Sequence, residues 1–401
     1  MQKEAKEFAA FIGIDWSDRK HDVCLVAAGS EQRERSVVEH RPAVIREWAE
    51  KLRKRFPEGS IAVCLELSQG PIVSALLEYD FFVLFPVQPA TLARYRNAFT
   101  TSRAKDDPTD AEFALELLLR HRDKLSVLEP ESVAMRSLRR LVETRRTLVE
   151  DRVRLTNRLT AALKAYFPQV LDWFADKEAG VFADFLERWP TLEHAQRARR
   201  ETIADFFRAH NVRYKAVIER RLEAIRSEAP LTRDAAIIGP MRLLVDTLLK
   251  QLRVACSAIE RFDEDIATLS PQLADYRLFQ ALPGAGPALA PRLLVAFGER
   301  RERFPNAAAL QKYAGIAHVT ERSGNASWVH WRWSCPKFVR QSIIEWLAQT
   351  VPRSLWAKAF YDSCRARGMR HQATLRALAF HGSASCAAVG WSVRPTTRPA
   401  T

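Results

Sequence analysis

Phe11-Ile12-Gly13-Ile14-Asp15 is the stretch on which the fold turns: a short apolar run closed by an acid. Such a run reads as a buried strand carrying a carboxylate at its end. A second run, Ile61-Ala62-Val63-Cys64-Leu65-Glu66, has the same form. Further on, Lys105-Asp106-Asp107-Pro108-Thr109-Asp110-Ala111 sets two acids three apart where a helix begins. Asp106 competes with Asp107 there, but only Asp107 has the i,i+3 relation to Asp110. Strand-end acids and an i,i+3 pair on a helix are expected to converge. Carboxylates that close repel one another and take up protons unless a divalent cation sits among them. An all-oxygen donor set favours Mg²⁺ or Mn²⁺. The four acids Asp15, Glu66, Asp107 and Asp110 therefore imply metal-dependent chemistry on phosphodiesters, with ions about 4 Å apart flanking the attacking and leaving oxygens. Taken singly, Asp107 or Asp110 also suits a helix N-cap. His21, Asp18 and Asp22, just past the first strand, read as solvated or structural.

Around these motifs the first third of the chain alternates strands and helices. Phe11–Ile14, Val23–Ala27, Ile61–Leu65 and Phe81–Val87 read as strands; Ala43–Phe56, Ile72–Tyr79 and Thr109–Arg122 read as helices. That alternation predicts an α/β layer. From Glu131 the pattern changes. Glu131–Phe167 is rich in Arg, Leu and Glu with almost no breakers, and reads as one long helix. Tyr214–Leu269 reads as a second, interrupted near Pro230 and at Gly239-Pro240. Two long charged helices of similar length predict an antiparallel coiled-coil arm. A small helical insertion lies between them. Leu282-Pro283-Gly284-Ala285-Gly286-Pro287 then reads as a turn between helices, of the kind found in helix-hairpin-helix elements. Its glycines would offer backbone N–H groups to a phosphate oxygen.

At 401 residues the chain predicts two or three domains. Apolar content of 47% and charged content of 27% exclude a disordered chain. A net charge of +14 points to a polyanionic partner. The excess concentrates in residues 320–401, with 12 Lys plus Arg against 3 Asp plus Glu. Trp328, Trp331, Trp333, Trp346 and Trp356 lie there too, and base stacking beside backbone neutralisation suits that mixture. Six scattered cysteines lack C-x-x-C spacing, which argues against a zinc site or disulfide framework and predicts a reducing cytoplasm. No signal-peptide core follows the N-terminus, and the longest apolar run, around Phe81 to Val87, is too short for a bilayer, so no membrane association is expected.

The order of the acids is that of RNase H-like nucleases. Gly13-Ile14-Asp15-Trp16-Ser17 with His21-Asp22-Val23, Leu65-Glu66 and Lys105-x-Asp107-x-x-Asp110-Ala111 resembles the insertion-sequence transposases with a RuvC-like DEDD domain. These are the bridge-RNA-guided recombinases, a family that also includes the Piv-type invertases. Leu282-Pro283-Gly284-x-Gly286-Pro287, Arg303-Phe304, Tyr313-Ala314-Gly315 and Arg322-Ser323-Gly324 resemble that family's second domain.

The resemblance implies an α/β RNase H-like (RuvC-like) domain over 8–128, an arm over 129–272 with its insertion at 168–212, and a mainly α transposase domain over 273–380. It implies strand cleavage and exchange of donor and target DNA through a phosphoserine link, with the metal held by the four acids. By position the serine is Ser323, with Ser327 as second candidate. A structured guide RNA and a homo-oligomer, dimer or tetramer, are implied as partners, and a nucleoid-associated location with them. Nucleic-acid contacts are expected at Arg94, Arg96, Arg103 and Lys105, read as a basic loop leading into the site. Others are expected at Gly284, Gly286, Arg322, Arg332, Lys337 and Arg340. Two other readings remain open: a structure-selective nuclease using water, and a non-catalytic nucleic-acid-binding remnant. Residues 381–401 depart from the family's apolar, basic helix and read as a disordered tail, of the kind a reading-frame shift near codon 381 would produce.

Overall fold

The computed structural model describes residues 8–66, 68–99 and 107–392, with the backbone alone for Asp107 and for 384–392. The chain divides into two compact units, 1–130 and 131–401. The first is built on five strands: β1 (Phe8–Trp16), β2 (Lys20–Ala27), β3 (Glu34–Glu39), β4 (Ser60–Leu65) and β5 (Phe82–Pro86). Their order is β3-β2-β1-β4-β5. β1–β2 and β2–β3 are antiparallel, while β1–β4 and β4–β5 are parallel. β1 and β4 are central and covered on both faces, which is why they read as apolar runs.

Four helices cover this sheet: α1 (Pro42–Arg55), α2 (Pro71–Leu76), α3 (Pro89–Phe99) and α4 (Asp107–His121). α1 begins with proline, ends in Arg53-Lys54-Arg55 against its dipole, and buries Ile45, Ala49 and Leu52. With Ile72, Val73 and Leu76 of α2 these pack on Ile12, Ile14 and Val63. On the other face Ala114, Leu117 and Leu118 of α4 and Leu92 of α3 meet Ala62, Cys64 and Phe85. Ala111 and Leu115 meet Cys24 and Val26. Gly13 sets the depth of this contact. A Cβ there would run into the Ala111 carbonyl oxygen and stand 3.0 Å from the Leu115 Cα, so the α4 backbone rests directly on β1.

Two elements were not foreseen. β3 carries Glu34-Arg35-Ser36-Val37-Val38-Glu39, of which only Val38 is buried, so an exposed edge strand gave no apolar signal. α3 replaces the expected basic loop, and Leu92 is its one buried residue.

The second unit is mostly helical. α5 (Val133–Lys164) is followed by α6 (Val170–Trp173), α7 (Gly180–Arg188), α8 (Leu192–Arg197), α9 (Arg200–Ala209), α10 (Lys215–Ser227) and the long α11 (Ala235–Leu269). After these come α12 (Tyr276–Gln280), α13 (Gly286–Phe297) and α14 (Ala307–Tyr313). A hairpin of β6 (Val319–Ser323) and β7 (Ala326–His330) follows, then α15 (Lys337–Thr350), α16 (Leu355–Ala366) and α17 (His371–Ser392). α5 and α11 lie antiparallel. Near one end Met135, Leu138 and Val142 share a core with Ile266, Leu293 and Trp346. Near the other Leu159 and Leu163 join Val245, Leu248 and Leu252 in an aromatic core with Phe167, Phe182, Phe185 and Phe207. Between them Arg145 donates two hydrogen bonds to Asp263, from Nε at 2.5 Å and Nη2 at 2.9 Å.

Two details correct the sequence reading. The second long helix breaks once, at 228–234, and α11 runs through Gly239-Pro240. Asp234 caps it, its Oδ1 accepting from the Ala236 N–H at 2.9 Å. α17 also does not stop at Phe380 but continues to Ser392. Small residues permit this: a Cβ on Gly382 would meet Leu347 Cδ2 at 2.6 Å. Ser383 is fully buried, donating to the Phe380 carbonyl at 3.0 Å and accepting from Gln311 Nε2 at 3.3 Å. Among the described residues no helix is long and apolar enough to cross a membrane.

Candidate active site

The acids of the first unit gather at one end of its sheet. Ile14 of β1 lies beside Leu65 of β4 in a parallel register, so Asp15 and Glu66 are the next residues of the two strands. Glu66 faces the helix side: burial first, and then its carboxylate charge, push the Cys64 thiol up to about 12. Gly13, two residues before Asp15, lies under Ala111, which sets Asp110 and the first turn of α4 over the same edge. Asp107 opens that turn, four residues before Ala111, and its side chain lies outside the described part. Asp15, Glu66 and the α4 N-terminus are thus brought to one place by backbone packing. Convergence of all four acids was expected, and the Asp107 side chain lies outside the described residues. Among the described residues no group of three such side chains closes on an ion-sized point.

Arg96 is the cation beside these acids. It was expected on nucleic acid. Instead its Nη1 donates to both Asp110 oxygens, at 2.6 and 2.7 Å, with the side chains only 16% and 4% exposed. Burying a carboxylate is costly unless it is paired, and here the guanidinium is its partner. Arg94, on the same helix, is exposed; Arg103 and Lys105 lie outside the described residues. Asp22, expected to be solvated or structural, also lies beside these acids. The hairpin between β1 and β2 sets Asp22 directly opposite Asp15, buried, with Lys20 Nζ at 3.3 Å. The tight turn at Ser17–Lys20, closed by a 3.0 Å backbone bond, was the signal from which that pairing follows.

In the second unit Ser323 ends β6, opposite Ala326 across a two-residue Gly324-Asn325 turn with Gly324 at φ +55°. Every residue from Thr320 to Val329 is exposed. Alternation puts Glu321, Ser323, Trp328 and His330 on one face. His330 is drawn up in pKa by the Trp331 carbonyl and then by Glu321, whose Oε1 lies 2.8 Å from Nε2. Arg322 and Lys337 are exposed; Arg332 and Arg340 are half-buried, with Arg340 Nη1 3.4 Å from the Arg332 carbonyl.

The two glycines of the turn before α13 differ in role. Gly284, at φ +75°, lies against α15, where a Cβ would meet the Gln349 carbonyl oxygen at 2.7 Å. Trp346 Nε1 donates to the Pro283 carbonyl beside it at 2.9 Å. Gly286, at φ +55°, faces open space. Close packing explains the first, and only the second leaves its surroundings open to a ligand.

Comparison with known proteins gives the family. Residues 12–168 match a DEDD transposase family, and residues 276–362 match the IS116/IS110/IS902 transposase family. The chain belongs to the IS110-type transposases. It is 28% identical over 380 residues to the "Mini-circle putative transposase for IS117" of Streptomyces coelicolor, covering 92% of this chain and 90% of that one. It is 26% identical over 380 residues to a 44.8 kDa protein of insertion element IS116 from Streptomyces clavuligerus, covering 92% and 91%. "Putative transposase y4uE" of Sinorhizobium fredii is 32% identical over 209 residues, 51% of this chain and 57% of the relative. As a transposase of an insertion sequence, the protein acts on DNA.

Proposed function

We propose that this transposase cuts and rejoins DNA through a phosphoserine link made by Ser323, with Asp15, Glu66, Asp107 and Asp110 holding Mg²⁺ or Mn²⁺. The sheet order β3-β2-β1-β4-β5, with acids at the ends of β1 and β4, supports an RNase H-like reading of the first unit. The observation that carries the proposal is the gathering of Asp15, Glu66 and the α4 N-terminus on one sheet edge. Its donors are all carboxylate oxygens, which fits a hard cation. A divalent ion bound there would balance the charge that develops on the phosphate oxygens.

Ser323 supplies the attacking oxygen. Its Oγ forms a bond to phosphorus as the bond to the departing deoxyribose oxygen breaks. The hydroxyl gives up its proton and the departing oxygen gains one. One phosphodiester is exchanged for another, so rejoining needs no external energy source. Exposure at a hairpin tip, with glycine next to it, lets a duplex approach closely. Arg322, Lys337, the open turn at Gly286 and the exposed Trp328 and Trp333 would hold backbone and bases. We further propose a structured RNA that supplies target choice. In the same reading the paired α5 and α11 serve as a coiled-coil arm joining copies into a dimer or tetramer, at work on the bacterial nucleoid.

The test is a Mg²⁺-dependent reaction on element-end DNA with wild type, Ser323→Ala and Ser327→Ala. We expect a DNA adduct that survives denaturation in wild type and Ser327→Ala and is lost in Ser323→Ala. Strand cleavage that persists in Ser323→Ala would favour a water-using nuclease. Unchanged DNA binding without cleavage by any form would favour a binding remnant.

A further inference from the structure

We propose that Arg96 is a positioning residue that trades Asp110 for a DNA phosphate when the acid site takes up its divalent cation. The inference rests on the metal-site reading above and extends it to a residue of α3.

The geometry is specific. One guanidinium nitrogen bridges both Asp110 oxygens, at 2.6 and 2.7 Å, and the pair is shielded from water. Each Asp110 oxygen keeps a further lone pair, so a metal bound there would share the carboxylate with the guanidinium. A cation arriving beside Asp110 also repels the guanidinium, and in a site this dry that repulsion is weakly screened. That repulsion weakens the Arg96–Asp110 pair and favours its release.

Its destination follows from its chemistry. The guanidinium stays charged at any working pH, and its planar fork of N–H donors matches two phosphate oxygens as well as it matches a carboxylate. Arg94, two residues earlier on the same helix, is already exposed. A scissile phosphate drawn to the metal would stand within reach of the released side chain. Substrate then stabilises the released Arg96, and released Arg96 leaves Asp110 to the metal. The two ligands are coupled through one side chain, and the coupling is reciprocal. Without DNA the arginine competes for the acid, which restrains metal loading until a substrate is present.

The test measures Mn²⁺ binding by electron paramagnetic resonance on the full chain, with and without a short DNA duplex at low salt. Wild type, Arg96→Gln and Arg96→Lys are compared, each checked for folding by circular dichroism. We expect Arg96→Gln to bind Mn²⁺ at least about fivefold tighter than wild type without DNA. DNA should tighten Mn²⁺ binding by a similar factor in wild type and leave Arg96→Gln unmoved. Arg96→Lys, with a point charge in place of the fork, should lie between them. If Arg96→Gln does not fold, the comparison falls to Arg96→Lys, and Mn²⁺ affinity equal to wild type overturns the idea. It is equally overturned if Arg96→Gln binds Mn²⁺ no tighter than wild type, or if DNA helps both alike. Those results would leave the acid site itself standing. Absence of Mn²⁺ binding by every form, with and without DNA, would remove both.

Discussion

His21 is almost fully buried on β2, its Nε2 2.9 Å from His40 Nδ1. Burial, and then the neighbouring His40, lower its pKa from the ordinary 6.5 to about 4, against a smaller upward pull from Asp22. The unfolded chain thus takes a proton near pH 6.5 that the folded chain refuses until about pH 4. Stability from this residue is whole above 6.5 and is lost as pH falls through that window. Urea unfolding of wild type should show an extra decline between pH 6.5 and 4 that His21→Gln lacks. Parallel declines in the two would show that His21 is not its source. The same scale explains what was and was not legible. Asp15 and Glu66 could be found because each ends an apolar run. Arg96 could not, because its partner lies on another helix and a basic, aromatic stretch looks alike whether it meets DNA or a carboxylate. Arg303-Phe304 and Tyr313 stood out as a family motif, and their role is now structural. The Arg303 guanidinium stacks on both rings, at 4.6 and 5.4 Å, and donates to the carbonyls of Ala296 and Phe297 at the end of α13.

At the scale of elements, Gly13 is the joint on which α4 depends. Gly13→Ala puts a methyl where the Ala111 carbonyl lies, so α4 must lift or slide. Overpacking of this kind costs about 1–3 kcal/mol, and backbone rather than a flexible side chain is in the way, so the upper end is expected. Thermal unfolding should register that loss, and cleavage should fall further than stability, because α4 carries Asp107 and Asp110 to the sheet edge. An alanine variant as stable and active as wild type would mean that α4 does not depend on this contact. Central strands and long helices were visible in the sequence because burial on both faces, or an unbroken periodic run, leaves a strong pattern. β3 and α3 were not, since each buries a single residue among exposed ones. The break near Pro230 was legible, but the second one expected at Gly239-Pro240 is not there: a proline early in a capped helix removes one donor without ending it.

Taken whole, a chain with a net charge of +14 owes much of any DNA affinity to released counterions. With the several phosphate contacts a duplex site needs, affinity should drop about a thousandfold between roughly 50 and 200 mM salt. Fluorescence anisotropy on a labelled duplex measures this directly, and a flat salt response would exclude the electrostatic account. The cores at the two ends of the α5–α11 pair have a consequence of another kind. Each end closes on its own side chains, and the Arg145–Asp263 clasp keeps the two helices in step between them. The stretch in the middle is therefore a ruler. Matched insertions of one heptad in both helices would add about 10 Å without disturbing either end. The separation of the two cores can thus change in heptad steps while each keeps its own packing.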